Sequence, residues 1–252
     1  MGVSLVMKQE STREQAKINA SRVNFIFIGG TGRVFFTREK SGFDHMRVFA
    51  CMASSLDGKI GPADVDRFVA IGSKHDMKHL ISLRDQANGI IFGANTFRTW
   101  PKPHRGNDPD RRVHHFILSR SMDLDPNLEL FQDPTFPVTI LTTGEPGPAL
   151  PEHIDIVTIP EPEETMSFAL SHISSIGVDS LLVEGGGQVL HQMIEAKLLH
   201  ELYLTVVPTL IGQPRAPGLV GGRLLTVPHR LDLLSSQQVG GETYLHLKFN
   251  YL

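Results

Sequence analysis

The sequence is poor in cysteine, in long apolar runs and in net charge, and each shortage excludes a class of protein. Its 252 residues include one cysteine, Cys51, so an internal disulfide is impossible and a cysteine-based zinc site is not expected. No apolar run approaches the roughly 20 residues that span a bilayer, and the start of the chain is too polar for a secretory signal. The net charge of -3 argues against nucleic acid or an anionic membrane as a partner. We therefore expect a globular protein of the reducing cytoplasm, with Cys51 buried and inert.

The first 45 residues differ in pattern from the rest of the chain. A polar stretch is followed by two apolar runs, Val23–Ile28 and Arg33–Thr37, which flank the glycines of residues 29–32. Because a second strand rather than a helix follows these glycines, the pattern favours a β-hairpin over a nucleotide-binding loop. Met46 is a natural start, so we expect residues 1–45 to be an extension, forming a hairpin or partly disordered, and residues 46–252 to form one domain.

From Arg47 onward, strand patterns alternate with helical patterns. Ser73, with Asp76 three residues later, predicts a helix start with a capping box. Pro162 and Gly177 bracket a second predicted helix. The strands are predicted at residues 47–53, 89–93, 113–118, 137–141, 154–158, 180–183 and 200–208, followed by a hairpin through Gly240-Gly241. This alternation predicts a largely parallel sheet covered on both faces, with an antiparallel edge.

The stretch Val183-Glu184-Gly185-Gly186-Gly187 carries the strongest single signal for a ligand site. A short apolar strand precedes it and an amphipathic helix follows. Glycines let backbone N–H groups and a helix N-terminus approach a phosphate, and Glu184 falls at the strand end, where open sheets bind ligands. A plain tight turn is the alternative, but three consecutive glycines exceed what such a turn needs.

Three further stretches carry weaker signals. Ser55-Leu56-Asp57-Gly58-Lys59 follows a strand directly, so its acid and amine could face one cleft or form a solvated turn. Gly93-Ala94-Asn95-Thr96 is a second glycine-to-helix junction, which could hold a second phosphate. The basic loop of residues 102–112, which includes Arg105, is either a seat for a phosphorylated ligand or a solvated loop. His114 and His115 face opposite sides of a strand, so we expect no metal site from them.

The motifs of this chain, in the order in which they occur, resemble those of the reductase domain of bacterial riboflavin biosynthesis. That domain is itself similar to dihydrofolate reductase. The resemblance covers Arg47 to Phe249 and rests on the motifs Ser55–Ile60, Leu83-Arg84, Gly93–Thr96, Glu184–Gly187 and Leu202–Gly212. It implies a dihydrofolate reductase-like, mixed and mostly parallel sheet with flanking helices and a C-terminal antiparallel hairpin, binding NADPH across the strand ends. The implied reaction reduces the ribosylamino side chain of a pyrimidine phosphate to the ribitylamino form, as a 5-amino-6-(5-phosphoribosylamino)uracil reductase does.

The resemblance also assigns roles to individual residues. The cofactor contacts would be Gly185, Gly186 and Gly187 at the diphosphate, with Gly93 and Thr96 as a second contact. Lys59 and Glu184 match positions that face the sugar and the nicotinamide, and either is a candidate proton source. Asp57 matches the acid of the same loop and is expected to pair with Lys59. Ser55 and Arg105 are the expected substrate contacts.

Several departures from the family pattern leave alternatives open. Thr99 and Trp100 stand where paired aspartates usually precede the proline. Ala94 stands where dihydrofolate reductases often have an arginine, so any 2′-phosphate contact must come from elsewhere, with Arg98 and Arg120 as candidates. The His-x-Glu and Pro-Cys-x-x-Cys elements of the zinc deaminases are absent, so we expect no deamination. The rivals are a reductase of a pterin or another carbonyl or imine, and a nucleotide-binding module without turnover. The resemblance also implies a homodimer.

Overall fold

Two compact units make up the chain, Met1–Asp44 and His45–Leu252. The computed structural model describes residues 23–27, 34–38, 43–64, 67–145, 147–159, 165–222 and 225–251. In the first unit, β1 (Val23–Phe27) and β2 (Val34–Arg38) pair antiparallel, as the hairpin pattern predicts. The glycines between these two strands lie outside the described residues.

A nine-stranded mixed sheet forms the second unit, in the order β10-β11-β9-β3-β8-β4-β5-β6-β7. Its six strands from β3 to β8 run parallel to their neighbours, as does β9 beside β3, whereas β11 pairs antiparallel with β9 and with β10. This arrangement confirms the predicted fold class. The strands are β3 (Arg47–Ser55), β4 (Gly89–Gly93), β5 (His114–Leu118), β6 (Val138–Thr142), β7 (Ile154–Thr158), β8 (Ser180–Val183), β9 (Glu201–Val207), β10 (Leu231–Val239) and β11 (Glu242–Phe249).

Five helices connect these strands within the described residues. They are α1 (Lys74–Arg84), α2 (Ala94–Thr99), α3 (Glu129–Gln132), α4 (Thr165–Ser175) and α5 (Gly187–Glu195). Gly177, with φ +89°, follows α4 as predicted, whereas Pro162 lies outside the described residues. The short α3 was not predicted, because four residues are too few for a helical period to show. None of these helices is both long and apolar enough to cross a bilayer.

The N-terminus of α1 is capped from two directions. Ser73 is the N-cap, and its hydroxyl accepts a hydrogen bond from the His75 N–H at 3.0 Å. The capping-box pattern predicts Asp76 as the acid that bonds back to Ser73, but this prediction is wrong. Glu242 of β11 accepts both the Ser73 N–H and the Ser73 hydroxyl, each at 2.6 Å. The C-terminal hairpin therefore supplies the carboxylate that the local pattern attributes to the helix.

The central strands bury both of their faces. In β4 and β8, Ile90, Phe92 and Leu182 have no exposed surface, as expected for parallel strands covered by helices. By contrast, β10 lies at the sheet edge and is mostly exposed. Because β3, β4, β5, β6 and β8 run in one direction, their carboxyl ends meet at one edge of the sheet. The loops that follow these strands converge there, which is where such sheets bind ligands.

Candidate active site

A cavity of about 1700 Å³ opens along the carboxyl ends of the parallel strands. Its wall includes the ends of β4, β5 and β6, the middle of β3 and the turn after β8, together with the first turns of α1, α2, α4 and α5. A single small ligand usually occupies about 300–1000 Å³. The cavity is therefore large enough to hold a dinucleotide and a second ligand side by side.

The glycine turn after β8 is packed closely on three sides. Gly185 has φ +93°, and its carbonyl accepts a hydrogen bond from the Gly93 N–H at 3.0 Å. A Cβ on Gly186 would lie 3.2 Å from the Thr96 hydroxyl oxygen, and a Cβ on Gly187 would lie 2.8 Å from the Gly221 nitrogen. A side chain would therefore be strained at the first of these glycines and crowded at the other two.

This turn also leaves the start of α5 open. Gly186 is the N-cap, and no side chain caps it in the described structure, although the first N–H groups of any helix lack partners within the helix. The five residues predicted to hold a cofactor all line this cavity. They are Gly93, Thr96, Gly185, Gly186 and Gly187. An uncapped helix N-terminus in a cavity wall is suited to bind an anionic group such as a phosphate.

Glu184 is the centre of a buried polar network. Its side chain is 5% exposed, and its carboxylate accepts two hydrogen bonds from the Arg84 guanidinium, both at 2.7 Å. The Nδ1 atom of His104 lies 2.7 Å from the second carboxylate oxygen. Burial by itself would raise the pKa of Glu184, but the charge of Arg84 and these hydrogen bonds hold it well below its usual range.

The surroundings of Glu184 do not suit the predicted proton source. A carboxylate held ionised by three hydrogen bonds has no proton to give near neutral pH. Arg84 belongs to the Leu83-Arg84 motif, but its partner was not evident from the sequence. In the sequence, His104 is one member of a basic loop, and no pattern there predicts its contact with Glu184. Its imidazole ring stacks on Phe92, with ring centroids 4.6 Å apart.

The loop Ser55–Lys59 is closed on itself and on the end of β9. The Ser55 hydroxyl donates to Asp57 at 2.6 Å and accepts from the Lys59 N–H at 3.0 Å. The Asp57 carboxylate also accepts from the N–H groups of Ile211 and Gly212, and these hydrogen bonds, that from Ser55 foremost, lower the pKa of Asp57 far below its usual value.

The predicted ion pair between Asp57 and Lys59 is therefore wrong for the described structure. The Lys59 ammonium instead donates to the Ala216 carbonyl at 3.1 Å. Ser55, Asp57 and Lys59 fix the loop, and the residues that reach the cavity wall are the next ones, Ile60–Asp64.

A strap, residues 213–222, joins this loop to the glycine turn. The Ile60 N–H donates to Pro217, and the Leu219 N–H donates to Gly58, each at 2.9 Å. Further along, the Gly221 N–H donates to the Gly187 carbonyl at 2.9 Å. The sequence showed only a loop rich in glycine and proline, because its partners lie far away in the chain.

The arginines predicted to contact a phosphate divide into two groups. Arg105 lies outside the cavity wall, since its guanidinium packs over the Phe136 ring at 4.4 Å and approaches Asp133 at 3.5 Å. Its predicted contact with substrate therefore lacks support, although its carbonyl accepts a hydrogen bond from Arg84. Arg98 and Arg120 both line the cavity. Within the described ranges, no group of His, Cys, Asp and Glu side chains is arranged to hold a metal ion.

Residues 47–245 match the family described as RibD C-terminal domain. A 2,5-diamino-6-ribosylamino-4(3H)-pyrimidinone 5′-phosphate reductase of Aquifex aeolicus is 24% identical over 181 residues, which cover 67% of this chain and 79% of the relative. The reductase of the same name from Methanothermobacter thermautotrophicus is 22% identical over 186 residues, covering 68% of this chain and 81% of the relative.

Solved structures show the same fold. A pyrimidine reductase-like protein of Corynebacterium diphtheriae has a TM-score of 0.68 at 20% identity, covering 84% of this chain and 94% of that one. A riboflavin biosynthesis reductase of Saccharomyces cerevisiae has a TM-score of 0.63 at 17% identity, covering 85% of this chain and 93% of that one. At these identities the likeness concerns the fold.

Gly187→Ala is expected to destabilise the protein, because the added Cβ would press on the backbone of the strap. Overpacking of this kind lowers the free energy of unfolding by about 1–3 kcal/mol. The control is Gly61→Ala, whose Cβ would meet no atom within 4 Å, and which should change stability by at most about 1 kcal/mol. Urea unfolding of both variants measures the difference, and equal stabilities would contradict the close packing at Gly187.

Arg84→Met is expected to lower the free energy of unfolding by about 3–5 kcal/mol, because it leaves the buried Glu184 carboxylate without its cation. Adding Glu184→Gln to this variant should recover part of that loss, since the uncompensated charge is then gone. Urea unfolding of the single and double variants tests both statements. A double variant less stable than Arg84→Met would contradict the view that the unpaired charge of Glu184 causes the loss.

Proposed function

The chain belongs to the RibD C-terminal domain family, and we propose that it is a reductase of riboflavin biosynthesis. In this proposal it reduces the ribosylamino side chain of a pyrimidine 5′-phosphate to the ribitylamino form. The observation that carries it is the cavity, in which an uncapped glycine turn and a buried ionised carboxylate share one wall. The names of the relatives from Aquifex aeolicus and Methanothermobacter thermautotrophicus support this substrate class.

We propose NADPH as the cofactor, which when bound supplies a hydride to the substrate. The residues of the cavity suit such a group. The open N-terminus of α5 and the bare glycines would receive the diphosphate, with Gly93 and Thr96 beside it. A neighbouring stretch, Ser119-Arg120-Ser121, presents two hydroxyls and a cation to the same cavity.

Arg120 is the better candidate for contact with the 2′-phosphate of NADPH. The Arg98 guanidinium is already held by the Asn95 side chain at 2.7 Å and by the Asp123 carbonyl at 2.6 Å. Arg120 is exposed at the cavity wall, where its charge is available to a phosphate. The preference for NADPH over NADH would then depend on this one side chain.

The remaining site residues would bind and position the substrate. Glu184 is ionised and faces the cavity, so it would accept a hydrogen bond from a substrate hydroxyl or amine. Lys59 would position the strap, because its ammonium donates a hydrogen bond to the Ala216 carbonyl. Asp57 would keep that loop in place through Ile211 and Gly212. These roles replace proton transfer for Glu184 and Lys59.

Residues 46–252 would carry the activity, with residues 1–45 as an extension. We propose that the protein acts in the cytoplasm, which agrees with its single, buried cysteine.

A homodimer would cover apolar side chains at the sheet edge, where Leu233 and Leu234 of β10 are 58% and 51% exposed. Light scattering at working concentrations checks this assembly.

The purified protein is expected to oxidise NADPH when given either of two substrates, observed as loss of NADPH absorbance. These are 2,5-diamino-6-ribosylamino-4(3H)-pyrimidinone 5′-phosphate and 5-amino-6-(5-phosphoribosylamino)uracil. Dihydrofolate should give no oxidation. Oxidation with dihydrofolate alone would favour a pterin reductase, and NADPH binding without oxidation by any of the three would favour a nucleotide-binding module.

Arg120→Ala is expected to raise the KM for NADPH by about 10–100-fold, the effect of losing about 1.5–3 kcal/mol from a charge-assisted hydrogen bond. The KM for NADH should change little, because NADH lacks the 2′-phosphate. Arg230→Ala, an exposed arginine outside the cavity wall, is the control. Steady-state kinetics with both cofactors measure the effect, and a parallel rise in both KM values would assign the 2′-phosphate to another residue.

A further inference from the structure

A second carboxylate, Asp76, lines the cavity apart from the Glu184 network. It lies in the first turn of α1, and its side chain is hydrogen-bonded to Thr205 of β9, which is 1% exposed. The cavity wall beside it includes Cys51 and Met52 of β3. A Cβ on Gly72 would collide with the Asp76 carboxyl group. Because Gly72 has no side chain, the Asp76 carboxyl group can pack against the backbone at this position.

The groups around Asp76 disfavour its negative charge. Among the described residues no cation forms an ion pair with it. Burial and then the charge of Glu242 raise the pKa of Asp76, against the opposing effects of the Thr205 hydrogen bond and of His79. The titratable groups that face it are His79 on α1, Cys51 on β3, and Glu242 and Tyr244 on β11.

Glu242 and Asp76 lie at the same end of α1, but their surroundings shift their pKa values in opposite directions. Glu242 accepts hydrogen bonds from the Ser73 N–H, the Ser73 hydroxyl and the Tyr244 hydroxyl, at 2.6, 2.6 and 2.7 Å. Although burial opposes it, these bonds lower the pKa of Glu242. When the surroundings of two nearby carboxyl groups move their pKa values in opposite directions, the group with the raised pKa is a candidate acid and the other stays charged. Asp76 is the member of the pair that reaches the cavity.

We propose that Asp76 is the acid that protonates the substrate nitrogen during reduction, an assignment that rests on the proposed function. A ring-opened ribosylamine presents a carbon–nitrogen double bond to the cavity. A bound reduced nicotinamide would supply the hydride to its carbon, and the Asp76 carboxyl group would give the proton to its nitrogen. The C–N bond would then be saturated, the nicotinamide oxidised, and the Asp76 carboxylate would regain a proton from water. Thr205 orients the carboxyl group throughout.

Asp76→Asn tests this assignment, because the amide keeps the shape of the side chain and cannot give a proton. The variant should lose turnover by about 10²–10⁴-fold, the range for a general acid, with little change in the KM for either substrate. In the wild type, turnover should fall as rising pH deprotonates Asp76, and this fall should be missing in the variant. Asp76→Glu should recover part of the activity. Asp232→Asn, on the exposed edge strand β10, is the matched control.

A second measurement needs neither substrate nor cofactor. A carboxyl group with a higher pKa in the folded than in the unfolded chain loses stability as pH rises from the unfolded value through the folded one. Asp76→Asn removes that loss. The Tm of the variant relative to wild type should therefore rise as the pH is raised above about 4, the ordinary pKa of an aspartate. Asp232→Asn should show no such trend.

The outcomes separate the two proposals. No oxidation of NADPH with either ribosylaminopyrimidine would overturn the proposed function and the role of Asp76 with it. Wild-type activity accompanied by an Asp76→Asn variant within about threefold of it, far below the effect of a general acid, would overturn the role of Asp76 alone. So would lost turnover with a Tm difference that does not depend on pH, because the fold would then not raise the pKa of the Asp76 carboxyl group.

Discussion

The buried pair between Arg84 and Glu184 is the interaction on which the site depends. A carboxylate that is 5% exposed would be strongly destabilising without a charged partner. The pair joins the end of α1 to the end of β8, and His104 and the Arg105 carbonyl bring the loop after α2 to the same point. Three elements of the fold are therefore held together by one charge that cannot be left unpaired, and of the residues in this network Glu184 lines the cavity.

Close backbone contact supplies the second constraint. The glycine turn accepts a hydrogen bond from Gly93 on one side and from the strap on the other. A Cβ at Gly186 would crowd the Thr96 hydroxyl, and a Cβ at Gly187 would collide with the strap backbone. The strap in turn pairs with the loop Ser55–Lys59, which Asp57 ties to the end of β9. The open end of α5 is thus positioned by backbone hydrogen bonds, which suits a site for a flexible phosphorylated ligand.

Four carboxylates near the cavity illustrate how surroundings divide one functional group among several tasks. Glu184, Asp57 and Glu242 each accept hydrogen bonds that favour the ionised form. Glu184 holds Arg84 and His104, Asp57 holds the loop Ser55–Lys59, and Glu242 holds the start of α1. Asp76 receives less of such support, so burial and the charge of Glu242 raise its pKa. In a reductase, hydride transfer to a C=N bond also needs a proton, and the environment of Asp76 is the one that favours keeping it.

The sequence by itself determined the elements whose signal is local. Apolar runs predicted the strands of the sheet, Gly240-Gly241 predicted the final hairpin, and the glycine turn was predicted together with the residues that join it in the cavity wall. The tertiary structure decided the partners of charged side chains. His104 meets Glu184 from 80 residues away, and Glu242 rather than Asp76 caps Ser73 from 169 residues away. The physical reason is that periodicity and turn chemistry act on neighbouring backbone, whereas the ionisation and role of a carboxylate depend on which distant donors the order of the strands places beside it.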